Sequence, residues 1–587
     1  MLAVASSGYD RDEFLFLDEI EVGMTGIGKT IVADDVISEF EVEIIGIIDQ
    51  PGDLSDFIAV RASGQPIGQS GGIAQGMSGS PIYVEGKLIG ALSRTGAWSK
   101  EIVPIALITP IEPMLAVLDS AMATLATPNA DALLEGVAVV ETTSLPSSDL
   151  VASQPSTLFA VPVSTPIVTA GLSERAQSVL MDGFSAQLPF LTIDKLLPNP
   201  MAPVSSGLRS LGTNLIPAAG DGGLARIDPA ALEPGSSIGV ALATGDVSIG
   251  ALGTLTYREG DALIGFGHRF LYNGPSSFAM TTVSIIDTMK SLEASYKLGM
   301  LGETIGTISE DRIAAIAGRI GDPFAGIDVA FDILDMDTGL GGSYAIGLVD
   351  EPRLVPELLL STGFEAIDST LDRVGQGTVV VTYTIDGDGM PQSLERTDTF
   401  FSSSDIAVYP PLQVASIVSA LQYNEFADPE ITSVEATMEF TEEIRGIRIS
   451  DLSIDFSSYE QGETIRFELT LQTYQGDVRI EEGEITIPAD LLSDQIILRA
   501  YGGPRYLESG EKAQVFTGLE DLIDAIETFP GYQTLTVELF AVDPFALHGD
   551  GLYGVDEVTF HFPGYVVYGE REASALLLFA DSGWGSD

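Results

Sequence analysis

The stretch GGIAQGMSGSPIYVEGKLIGALS, from Gly71 to Ser93, decides how the rest of the chain is read. Gly76 and Gly79 bracket Met77 and Ser78. Glycine on both sides lets the backbone bend sharply and presents the serine hydroxyl outward. It also turns consecutive N–H groups toward one point, as an oxyanion hole requires. Pro81 to Val84 reads as a strand, Glu85-Gly86 as a tight turn and Lys87 onward as a second strand, so a β-hairpin holds the loop. Ser78 is therefore the candidate nucleophile, exposed on its loop. The N–H groups of Gly76 and Ser78 are the candidate oxyanion donors.

A serine nucleophile needs a base, and the chain has three histidines. His268 lies in ALIGFGHRFLYNGPSS, at the end of an apolar strand and flanked by Gly265 and Gly267. His548 lies in the turn-like FALHGDG and His561 in VTFHFPGY, a strand pattern. The setting favours His268 as the base and leaves the other two as packed or solvated side chains.

Outward from these segments, residues 13–120 carry short β-branched runs broken by glycines, among them EVEIIGIID and FIAVRAS. They form the serine-bearing half, after an N-terminal tail over 1–12. Residues 121–235 are rich in Ser, Thr, Pro and Ala and read as an insertion or linker, with one short helix near Ser173 to Met181. Strand patterns return over 236–330, the histidine-bearing half. An α+β connecting region over 331–430 contains a helix with Val414, Ile417, Val418 and Leu421 on one face. Over 431–587, Ile465, Phe467, Leu469 and Leu471 alternate with polar residues, as in an Ig-like β-sandwich. A helix striped by Leu519, Leu522, Ile523 and Ile526 is inserted there.

Composition narrows the function. With 85 acidic against 27 basic residues the net charge is −58, which repels phosphate backbones, so no nucleic-acid partner is expected. There is no cysteine, hence no disulfide, thiolate metal site or cysteine nucleophile. No run approaches the ~20 apolar residues that span a bilayer. Ala3-Val4-Ala5 has the small-x-small form of a signal cleavage site, a trimmed leader or a coincidence of small residues. Carboxylates in DMDTG (335–339), DGDGM (386–390) and HGDGLYGVDE (548–557) complete no calcium loop and read as turns, so neither metal nor cofactor is expected.

One motif points elsewhere. GMTGIGKT, Gly23 to Thr30, fits the phosphate-loop pattern, and IIGIIDQPG downstream imitates a GTPase magnesium loop with Asp49 and Gly52. A phosphate loop needs a buried strand before it and a helix after it. Here FLFLDEIEV precedes, with Asp18, Glu19 and Glu21, and the β-branched IVADDVISEFEVEIIGI follows. Asp34 and Asp35 would also crowd a triphosphate. A glycine-rich hairpin is the better reading, and a nucleotide hydrolase is the remote alternative.

GGIAQGMSGSPIYVEGKLIGA resembles the nucleophile motif of the SpoIVB-type serine peptidases, and GTLTYREGDALIGFGH resembles that family's histidine segment. PIALITPIEPML is similar to its post-nucleophile strand and GMTGIGKTIV to its glycine-rich N-terminal strand. GETIGTISEDRIAAIAGRIG (302–321) is similar to the piece after the histidine. The resemblance spans 13–120 and 236–325. It implies a mainly β, chymotrypsin-like double barrel with an insertion, Ser78 as nucleophile and His268 as base. It also implies a polypeptide substrate or the protein's own chain, and a place outside the cytoplasm. The chain departs from the sporulation branch in three ways. The serine half precedes the histidine half, Ser63 stands where an Asp is expected, and no PDZ domain is evident. The acid that would orient the imidazole is unassigned, with Asp56 and Asp287 as guesses. A protease-like binding scaffold without activity is the alternative.

Overall fold

In EFEVEI, strand β2 (Ile37–Ile48) buries Phe40, Val42 and Ile44 and turns Glu39, Glu41 and Glu43 to solvent. The same period-two pattern builds the rest of the first barrel. Its strands are β1 (Thr25–Ile31), β2, β3 (Phe57–Ser63), β4 (Pro81–Val84), β5 (Lys87–Gly96) and β6 (Ile105–Pro110). They close in the order β1-β2-β3-β6-β5-β4 and back to β1, every pair antiparallel. The hairpin expected at Glu85-Gly86 is present, with φ of 53° and 79°, the conformation a two-residue hairpin turn favours.

This computed structural model describes residues 9–48, 56–96, 104–123, 160–162, 166–183, 208, 214–217, 227–291, 294–504, 516–542 and 552–578. Most of the predicted insertion over 121–235, Asp49 to Gly52 and His548 lie outside them. The chain divides into two units, Met1–Gly171 with Arg209–Ala325 and Leu172–Leu208 with Gly326–Asp587.

The first unit holds a second closed ring. Short strands β7 (Ala160–Pro162), β8 (Pro166–Ala170) and β9 (Asn214–Pro217) precede it, and β8 pairs with its edge. The ring consists of β10 (Ser237–Gly245), β11 (Ser248–Glu259), β12 (Ala262–Gly265), β13 (Gly274–Met289), β14 (Tyr296–Asp311) and β15 (Ile316–Ile320). Their order is β10-β13-β14-β15-β12-β11, closed by β10 against β11. The long β13–β14 hairpin has several register shifts, bulges that let 16-residue strands curl round a small barrel. Both halves are thus complete six-stranded rings, and the mainly β double-barrel expectation holds.

Between the rings, PIALITPIEPML is only half strand. β6 ends at Pro110, and helix α2 (Ile111–Ala123) follows the short α1 (Gln65–Ser70) of the serine side. Pro113 falls in the first helical turn, where its missing N–H removes no bond. Met114, Leu115 and Leu118 of α2 share a core with Phe14 and Leu88 from the first ring side and with Ala262, Ile264 and Ala317 of the second. This apolar layer fixes one ring against the other.

In the second unit, α3 (Glu174–Asp182) begins where expected, its N-cap Ser173 accepting the Ala176 N–H at 3.3 Å. A five-stranded sheet follows over 326–441, covered by α4 (Val355–Leu371) and α5 (Tyr409–Gln422). Beyond it, a four-stranded and a five-stranded sheet bury one common core that includes Ile465, Phe467, Leu469 and Leu471.

Candidate active site

The serine loop is held by its carbonyls. Gln75 O accepts the Lys297 N–H at 3.0 Å, and Met77 O accepts both the N–H and the Oγ of Ser80, at 3.0 and 2.6 Å. A trans peptide directs its N–H opposite to its C=O. Anchoring Gln75 and Met77 through their oxygens therefore turns the Gly76 and Ser78 N–H groups to the other side. Among the described residues neither N–H meets an acceptor, whereas the intervening Met77 N–H donates to Ala74 O at 3.1 Å. Gly76 and Gly79 have φ of +88° and +90°, a region that favours glycine.

Strand β11 stitches the second ring to this loop. The Thr254 N–H donates to Ser78 O at 2.8 Å and its hydroxyl to Gly76 O at 3.0 Å; the Thr256 hydroxyl donates to Gly79 O at 2.7 Å. A Cβ on Gly79 would lie 2.0 Å from Thr254 O and 2.4 Å from Phe266 N. No side chain fits there.

The sequence suggests an exposed Ser78. The structure corrects this: Ser78 is fully buried, and among the described residues its Oγ has no hydrogen-bond partner. The reason is packing from the second ring. Phe266 lies against Gly79, and the Lys297 side chain covers Gly76, with Cδ 3.1 Å from where a Cβ would stand.

His268 sits just past β12. The turn before it is tight: Phe266 has φ +68°, and the Gly267 N–H donates to Gly265 O at 2.8 Å. Such a three-residue turn on a non-glycine residue is strained, and its surroundings must hold it. The Thr109 hydroxyl does so from the first ring, donating to Gly267 O at 2.6 Å. The imidazole Nδ1 is 2.6 Å from Arg269 O. A carbonyl cannot donate, so Nδ1 carries a proton, and in the neutral ring the lone pair is on Nε2. The loop that follows is gathered by Asp311, whose carboxylate accepts the N–H groups of Phe270, Leu271 and Asn273 at 2.7, 2.7 and 3.2 Å. Burial raises the Asp311 pKa, and these bonds pull it back.

The two guesses for an orienting acid stand apart from this. Asp287 is exposed and accepts the N–H of its neighbour Thr288, near the end of β13 opposite the His268 loop. Asp56 is half-buried just before β3. Ser63 donates to Glu41 on the surface at 3.3 Å. His561 is exposed, its Nδ1 3.3 Å from Thr534 Oγ1.

Sequence reasoning missed Thr254, Thr256, Asp311 and Lys297. The threonines left a signal, two polar residues on one face of GTLTY in an otherwise apolar strand. Lys297 left none. It is fully buried, donates Nζ to Thr254 Oγ1 at 3.1 Å, and has its pKa lowered to about 7 by burial.

GMTGIGKT contributes a strand instead of a phosphate cradle. Thr25 to Ile31 is β1, Thr30 is buried, and Lys29 Nζ lies 5.3 Å from the Tyr83 ring centre. Asp35 caps the second ring, accepting the Ser284 hydroxyl at 2.7 Å and the Ile285 N–H at 2.6 Å.

The first unit thus holds two closed barrels, a glycine-framed serine on one and a histidine past a strand end of the other. Residues 12–95 match the family model described as SpoIVB peptidase S55, and that family implies a serine peptidase, a hydrolase of peptide bonds. The match takes in β1 through most of β5 with the whole serine loop, and ends before His268. No curated protein matches the chain.

Proposed function

We propose that the protein is a serine endopeptidase, or one that processes its own chain, acting outside the cytoplasm. Ser78 Oγ attacks the scissile carbonyl and passes its proton to His268 Nε2. The tetrahedral oxyanion is received by the Gly76 and Ser78 N–H groups. His268 returns the proton to the leaving amine as the acyl ester forms, and water then releases the ester by the same route in reverse. The observation that carries this reading is the pair of unengaged N–H donors beside an unpartnered serine hydroxyl. In this scheme Arg269 O takes the place of an orienting acid. A neutral carbonyl offsets imidazolium charge less than a carboxylate does, so turnover is slower than with a full triad.

The burial of Ser78 favours a second reading, a protease-like scaffold that recognises partners, with the C-terminal sheets as an Ig-like module. Reaction of the full chain with a fluorophosphonate probe separates the two. The endopeptidase is labelled, and both Ser78→Ala and His268→Ala abolish labelling while His561→Ala retains it. A folded wild-type chain that stays unlabelled supports the scaffold.

A further inference from the structure

Lys297 is a buried charge that the proposed acyl transfer leaves unused. An ammonium removed from water without an acid partner is destabilising, and an apolar side chain of that length would fill the same space. Among the described residues no carboxylate is bonded to it. Its position is specific: the backbone N–H holds Gln75 O, the methylenes lie on Gly76, and Nζ is bound to Thr254 Oγ1. The same threonine hydroxyl donates to Gly76 O, and its N–H donates to Ser78 O. The charge is therefore two hydrogen bonds from the loop that carries the nucleophile.

We propose that Lys297 is a positioning residue of the peptidase centre, whose positive charge, relayed through Thr254 to the Gly76–Ser78 loop, favours the negative charge that develops there during acyl transfer. This rests on the serine peptidase reading. Inside a dry site such a charge acts more strongly than in water, because little solvent screens it. The groups facing it are Thr254 from β11, Thr288 opposite it on β13, and the Gln75 and Gly76 backbone. Asp287 and Lys290 lie near the end of β13; burial lowers the Lys297 pKa, to about 7. Its protonated form is then lost within the working range. Activity should fall as pH rises through about 7.

The test is the rate of fluorophosphonate labelling of the full chain between pH 5 and 9 or so, a span chosen to bracket ordinary histidine and the shifted lysine. Lys297→Met should label roughly 10- to 100-fold more slowly below neutrality, less than the ~10²–10³ lost with a direct oxyanion donor, and should lack the descending limb. Lys297→Gln, which keeps a donor for Thr254 without the charge, should behave like Lys297→Met; this excludes a purely structural role and covers a failure of the first variant to fold. Variants that keep the wild-type rate and pH profile overturn the lysine assignment alone. So does a Lys297-dependent limb that rises with pH, since the neutral amine would then be the useful form. An unlabelled wild-type chain, by contrast, overturns the peptidase reading and this proposal with it.

Discussion

Two glycine-rich segments of the first barrel use the same residue in opposite ways. In GMTGIGKT, Gly26 and Gly28 are strand residues, and glycine is required for space. A Cβ on Gly26 would lie 2.1 Å from Tyr83 O, and one on Gly28 2.2 Å from the Phe40 ring. In GMSGSP, Gly76 and Gly79 are needed for their positive φ, Gly79 for space as well, and among the described residues the Gly76 and Ser78 N–H groups stay unengaged. A glycine pattern alone does not distinguish a packing role from a binding role. The flanking elements do, because a phosphate loop without its helix has nothing to aim at an anion.

Substitution at the second segment should show the contrast most strongly. Gly79→Ala must shift either the Thr254 carbonyl or the Phe266 backbone, neither of which is a flexible side chain. It should lower stability by more than ~4 kcal/mol in urea unfolding, at the exceptional end of single substitutions. Gly28→Ala meets only a ring edge, which can tilt, and should lower it by about 1–3 kcal/mol. Equal effects would mean that the serine loop is no more constrained than a packed strand.

The two lysines sharpen the comparison. Lys297 has a folded-state pKa near 7 against an ordinary 10.5. Below pH 7 both folded and unfolded chains hold the proton, and the full penalty of burial is present. Between the two values only the unfolded chain holds it, so stability rises with pH, by on the order of a few kcal/mol in total. Lys297→Met should flatten that rise when its urea unfolding is compared with wild type from pH 6 to 9 or so. Among the described residues the Lys29 ammonium of the phosphate-loop pattern meets a ring, a contact worth at most about 1 kcal/mol. Lys29→Ala should thus change stability little, and isothermal titration of wild type with GTP or ATP should show no binding; micromolar binding lost in Lys29→Ala would restore the motif.

Much of this was legible in the sequence. Period-two alternation marked β2 and the strand carrying Ile465 to Leu471, and one-sided stripes marked α5 and the helix Leu519–Thr528. α4 was not legible, because thirteen of its seventeen residues are buried, the polar Glu357, Ser361 and Thr362 among them. In the site, glycine spacing marked Ser78 and His268 through the backbone they shape. Lys297, Thr254 and Asp311 act through partners 38 to 222 positions away, contacts that only the closing of two rings creates. The same closure buried a serine whose local sequence suggested exposure.

On the proposed function, Ser78 is the nucleophile and His268 its base. Peptide mapping by mass spectrometry after fluorophosphonate treatment of the full chain tests this. A single phosphonyl adduct is expected on Ser78, absent in folded Ser78→Ala and slowed at least ~10⁴-fold in His268→Ala. An adduct on another residue, or undiminished labelling in Ser78→Ala, would contradict it.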